Sequence, residues 1–299
     1  MPIQFKEYFQ FDREVYPLVT IYDEDDIEEV RISLKNTKNI AISLADLKIL
    51  PLFPCLRKIV LLSGLITEEG KKALYSSKSI EVIIFKYEET DEEAVDQIDL
   101  SQFPNLQAIS SDSDLNFCNL AKCTSLKTLK VRNWRKENLE ALKNLSELDS
   151  LEITLGKLVS LAGIEYTSMQ CLDLSYLKKL SDISFLMNCK RLKSLQIDHC
   201  PNIDHLVDVV QDLKGLVKLS ISGNKGVFQD LRFIKNLINL QFFVTDFNIL
   251  DGKLEILKSL PYSSVLMDRR HYSLKDEDLF RDPKVSQGNE GIPSWRRID

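Results

Sequence analysis

The apolar residues of this chain recur in one short figure. Leu192, Leu195 and Ile197 lead to Cys200, and Leu216, Leu219 and Ile221 lead to Asn224, 24 residues further on. Alternation of apolar and polar positions within each group predicts a short strand with one buried face. The figure can be laid down again from Thr37, Leu56, Ile80, Leu106, Leu126, Leu148, Met169, Leu240 and Tyr262, at intervals of 19 to 26 residues. In the last copy Val265 and Met267 are the expected inward residues. Between strands the apolar residues return at three and four, as in Ile203, Leu206, Val210 and Leu213, or Leu231, Ile234 and Leu237. That spacing predicts short helices packing one face inward. The segment from Ile183 to Cys189 has room for about two turns.

The pattern L-x-x-L-x-L-x-x-(N/C) resembles the leucine-rich repeat family, whose units run to roughly 20 to 29 residues. The resemblance covers residues 37 to about 270 and is strongest in the last five strands. It implies an α/β fold: a right-handed leucine-rich repeat solenoid, or horseshoe, with parallel strands on the concave face and short helices on the convex face. Spacing agrees, because strands stack about 4.8 Å apart whereas helices need roughly 8 to 10 Å, so the helical side must be the longer one. In the family an Asn at the ninth position bonds the backbone of the following turn. Asn224 and Asn248 fit that role, with Cys200 as the small substitute. At Trp134, Gly156 and Leu177 the ladder is interrupted.

This layout divides the chain into an N-terminal cap (1–36), a solenoid of about 10 to 11 repeats (37–267) and a C-terminal cap with a polar tail (268–299) pinned by Trp295. The cap is expected to hold the acidic cluster Asp23 to Asp26 as a solvated loop. It is also expected to cover Val60, Leu62, Val82 and Ile84, which the pattern aims away from the core.

Composition adds limits. The chain is 44% hydrophobic and 28% charged, and no apolar run nears the ~20 residues that cross a bilayer. A net charge of −6 argues against a nucleic-acid partner, which needs a dominant basic face, and favours a basic protein. The start shows no export signal. The six cysteines form no Cys-x-x-Cys pair and read as reduced core residues, with Cys118 to Cys123 the one pairing worth keeping open. These features predict a cytoplasmic monomer.

Candidate chemistry is sparse. Asp198, His199 and Cys200 could suggest a nucleophile or a metal site, but neighbours along a strand face opposite sides, so Cys200 should point inward and the other two outward. No phosphate loop, nucleophile elbow or metal-binding motif is present, so no catalytic residue, cofactor or metal is assigned. The expected site is the concave face. Its residues are Lys130, Arg132, Glu152, Asp173, Tyr176, Gln196, Asp198, Lys218, Phe242, Asp246 and Phe247, cationic toward the N-terminal half and acidic toward the C-terminal half. Acidic rungs beside aromatic anchors suit a basic protein surface. The function expected is therefore non-catalytic binding of a protein partner, as in an inhibitor or immunity-type protein. The alternatives are a recognition component or effector of an enzyme system, and a secreted adhesive protein.

Overall fold

The computed structural model describes residues 8–11, 14–19, 36–86, 97–223, 226–267, 269–279 and 281, the first two segments by their backbone. The described chain forms two compact units that divide after Val131.

In the first unit, β1 (Tyr8–Phe11) pairs antiparallel with β2 (Glu14–Val19). From there every pairing is parallel, through β3 (Asn39–Ser43), β4 (Lys58–Leu62), β5 (Val82–Lys86), β6 (Ala108–Ser111) and β7 (Thr128–Val131). The second unit stacks β8 (Ser150–Thr154), β9 (Cys171–Ser175), β10 (Ser194–Asp198), β11 (Lys218–Ser222), β12 (Phe242–Thr245) and β13 (Tyr262–Val265), all parallel. Register follows from the repeat. Leu151, Leu172, Leu195, Leu219 and Phe243 align rung on rung, as do Ile153, Leu174, Ile197, Ile221 and Thr245. All ten are at most 1% exposed. Burying each large apolar side chain contributes about 1.5 to 3 kcal/mol.

The return segments are short helices, and their type varies. Most are 3-10 turns, among them Glu140–Leu142, Ser184–Asn188, Arg232–Asn236 and Glu255–Ser259. The reason is a strict period of three. Leu139, Leu142, Leu145 and Leu148 are all at 0% exposure, and Leu177, Leu180, Ile183 and Leu186 are at most 1% exposed. A helix of three residues per turn keeps such a row on one side, whereas 3.6 per turn would rotate it away. Where the spacing is three and then four, the chain is α-helical: Gly70, Ala73 and Leu74 lie in Glu68–Ser76, and Val209 and Val210 in Leu206–Val210. Carboxylates two residues ahead start these turns. Asp182 accepts from Ser184 N–H at 3.0 Å, Asp230 from Arg232 N–H at 2.8 Å and Asp251 from Lys253 N–H at 3.1 Å.

The last rung is shifted from its predicted place. Phe242 pairs with Tyr262, which makes Leu260, at 6% exposure, the first apolar position of that copy. Ser263 and Val265 point inward, and Met267 is 54% exposed rather than core. Val60, Val82 and Ile84 are buried together with Ala41 and Ala108, with Leu62 partly so, and form a core cluster. Of their assigned cover the backbone of residues 8–11 and 14–19 is described, whereas the acidic cluster Asp23 to Asp26, Asn224 and Trp295 lie outside the described residues. All six cysteines are free thiols, Cys118 and Cys123 included.

Candidate protein-binding face of the second unit

On the sheet side away from the core, each strand offers three positions. The first is closed in the early rungs, where Ser150, Cys171 and Ser194 are at most 6% exposed. In the later rungs it opens. Lys218 is half-buried, and its ammonium sits 4.7 Å from the centroid of Phe242. Phe242 stacks on Tyr262 at 4.5 Å and 9°. In-register parallel strands force this column, because aligned side chains on adjacent rungs stand about 4.8 Å apart, close to a ring-stacking distance. Burial lowers the Lys218 pKa, and the nearby Asp173 works against that.

The middle position carries Glu152, Asp173, Gln196, Ser220 and Val244, so the acidic strip stops at Gln196 instead of running on to the last rungs. Asp173 is only 9% exposed and accepts from Ser175 Oγ at 2.9 Å. Asp198 and Asp246 lie in the outermost row. Asp198 accepts from Ser222 Oγ at 2.7 Å, and its second oxygen is 2.7 Å from His199 Nδ1. Asp246 accepts from Gly223 N–H at 2.8 Å, and its other oxygen is buried without a partner, so this carboxylate serves the turn.

Just past the strands, the turn needs a left-handed residue. Leu155, Tyr176, His199 and Gly223 take it in successive rungs, with φ of 67°, 57°, 52° and 77°. Glycine takes it freely, whereas other residues spend roughly 1 kcal/mol there. Tyr176 stacks on His199 at 4.5 Å and 10°, and the imidazole lies where a Cβ on Gly223 would stand.

Several expected contacts are placed elsewhere. Phe247 is 7% exposed and packs on Phe228 at 4.9 Å, so it is core of the loop rather than a surface anchor. Lys130 belongs to the first unit, and Arg132 is exposed at the start of the second. Cys200 is 2% exposed, as the alternation predicted, and its thiol faces the Leu174 carbonyl at 3.5 Å. Asn248, at the ninth position of its copy, has its Oδ1 buried without a partner. The sequence reading put Tyr262 at the first position of its copy instead of on the face and passed over Leu155; the 20-residue step from Leu240 to Leu260 is the sign that would have placed Tyr262. The edge of β13 is closed by Asp276, which accepts from Val265 N–H at 2.7 Å and pairs with Arg281.

No family model and no curated protein matches the sequence. Among solved structures, an internalin (InlF) from Listeria monocytogenes aligns over 84% of this chain and 76% of its own, with a TM-score of 0.53 at 17% identity. TLR13, solved as a complex with ssRNA13, aligns over 85% of this chain with a TM-score of 0.53 at 16% identity. This chain spans 37% of the TLR13 chain. With the parallel ladder above, these show that the chain has the leucine-rich repeat fold. At such identities the likeness is one of fold alone.

Proposed function

We propose that the protein is a non-enzymatic binding module that takes a protein partner on the strand face of its second unit. The observation that carries this is the Lys218, Phe242 and Tyr262 column. Solubility asks only for serine on such a face, yet here a half-exposed phenylalanine is clamped between an ammonium and a second ring. An ordered aromatic group loses little entropy on binding, the property of an interface anchor. Gln196 and Asp198 lie on the rung next to Lys218, with Glu152 two rungs before them, which favours a basic partner surface.

The inhibitor or immunity-type role is the form of this reading in which the basic partner is an enzyme or toxin. A cytoplasmic, monomeric protein is part of the same reading. Affinity capture from the native source, read by mass spectrometry, tests it with three baits. A true partner is recovered by the wild type and by Lys143→Ala on the return side, and is lost with Phe242→Ala. Recovery that is indifferent to Phe242 would overturn the assignment of the face.

A further inference from the structure

Three successive rungs of the second unit put Leu155, Tyr176 and His199 into a left-handed turn that Gly223 fills freely in the next. Each is a large side chain held in a conformation that disfavours it, and each is exposed, Leu155 at 38% and Tyr176 at 44%. Packing does not explain the choice, since the core-facing role of this turn falls to the following residues, Leu177 and Cys200, which are at most 2% exposed. The rings are nevertheless ordered, with Tyr176 lying flat on His199 and His199 lying over Gly223.

Beside the strip stands Asp198. Ser222 Oγ donates to one of its oxygens and His199 Nδ1 to the other, which fixes the carboxylate while leaving a lone pair on each oxygen. The backbone N–H groups of Leu155, Tyr176 and His199 are spent on Ser175, Asp198 and Ser222 carbonyls at 2.8 to 3.0 Å. What this edge offers a visitor is therefore acceptors and ring edges. A planar guanidinium suits both, because it carries donors in a fork and tolerates contact with aromatic groups.

From this we infer that the Leu155, Tyr176 and His199 strip with Asp198 is a second contact site, which seats an arginine of a protein partner. The inference rests on the proposed binding role of the second unit and names the chemistry of the partner at its rim. Asp198 supplies the charge, and Leu155 with the two rings supplies apolar contact to the arginine's stem and its neighbours.

The test selects a phage-displayed peptide library on the full chain and measures the enriched peptides by titration. They are expected to share an arginine, and to lose about tenfold or more in affinity when that arginine becomes citrulline, and likewise on Asp198→Asn or Tyr176→Gly. Tyr176→Gly relieves the left-handed residue, so its melting temperature should hold or rise while binding falls, a split that a merely structural tyrosine would not give. The inference is overturned if no peptide is enriched, if those enriched lack arginine, or if binding falls with Lys178→Glu but not with Asp198→Asn. Peptides that respond to Phe242→Ala and ignore both rim variants would leave the strand-face reading standing and remove this one. Peptides indifferent to Phe242 and to the rim would remove both.

Discussion

The carbonyl of Trp134 occupies the space in which Gly156 would carry a side chain. Lys157 N–H donates to that same carbonyl at 2.7 Å, and Trp134 N–H reaches the Leu155 carbonyl at 3.4 Å, so two rungs are joined by backbone at a point where any Cβ would push them apart. Gly156 also has a φ of 130°, which only glycine adopts readily. Gly156→Ala should therefore cost about 2 to 4 kcal/mol. Chemical denaturation would show the midpoint falling with little change in slope. A loss of under about 0.5 kcal/mol, the ordinary surface value, would mean that the two rungs can part without penalty.

Asp99 gathers four donations: Ser101 N–H at 3.0 Å, Ser101 Oγ at 2.7 Å, Asn119 Nδ2 at 2.9 Å and Gln102 Nε2 at 3.3 Å. Burial acts to raise its pKa, but the hydrogen bonds from Ser101, Asn119 and Gln102 outweigh it and bring the carboxyl down to about 2. The folded value lies below the ordinary 3.8, so the charged group stabilises the fold fully above pH 3.8. As the pH falls the unfolded chain takes up its proton first, and the contribution is gone below about 2. Asp99→Ala should cost about 1 kcal/mol near neutrality, the usual value of such a cap. The gap between variant and wild type should close as urea midpoints are followed down through that window. A gap that stays constant to pH 2 would show that the carboxylate is not the source.

Thiol chemistry separates surface from core. Cys55 is exposed, and Cys118 is half-buried with its pKa raised first by burial and then by Asp99. Burial pushes Cys123 and Cys189 up to about 12 and Cys200 up to about 11. Since the thiolate is the reactive form, the buried thiols should resist alkylation in the native protein. One rapid equivalent is expected with a maleimide or disulfide reagent at neutral pH, and Cys55→Ser should remove it. Rapid modification of Cys200 would mean that its turn opens on the time scale of the reagent.

How much of this was legible depended on which physical rule a residue obeys. Leu192, Leu195 and Ile197 announced their rung because alternation on a strand with one buried face leaves few other readings, and the parallel register then follows from equal spacing. The 3-10 turns were legible in principle, for the row from Leu177 to Leu186 steps by three without a break; reading it as helix in general missed that three and 3.6 differ over four steps. The candidate face was half visible. Asp198, Tyr176 and Phe242 lie on the expected side, while Ser150 and Ser194, formally outward, are closed by neighbours about 4.8 Å away on the next rungs. Sequence position fixes direction but not crowding. Tyr262 was misplaced because Leu260 is followed by Pro261, and the apolar run after it offered a competing register.

Phe242 and Phe247 stand five residues apart and answer different demands. Phe247 is 7% exposed, tilted against Phe228 at 4.9 Å, and its ring fills the space beside Gly226 where a side chain would stand. Removing it empties that site, so Phe247→Ala should cost about 3 to 5 kcal/mol. Phe242 is half-exposed, with one ring face on Tyr262 and the other beneath the Lys218 ammonium. Its truncation forfeits a stacking contact and part of a cation–π contact, each about 1 kcal/mol, and leaves no cavity. Phe242→Ala should thus lower stability by about 1 to 2 kcal/mol while abolishing partner recovery, and Phe247→Ala should do the reverse under conditions where it stays folded. Measuring both by denaturant titration and by capture separates anchor from core. If Phe242→Ala proved the more destabilising of the two, the column of Lys218, Phe242 and Tyr262 would be holding the sheet together rather than waiting for a partner.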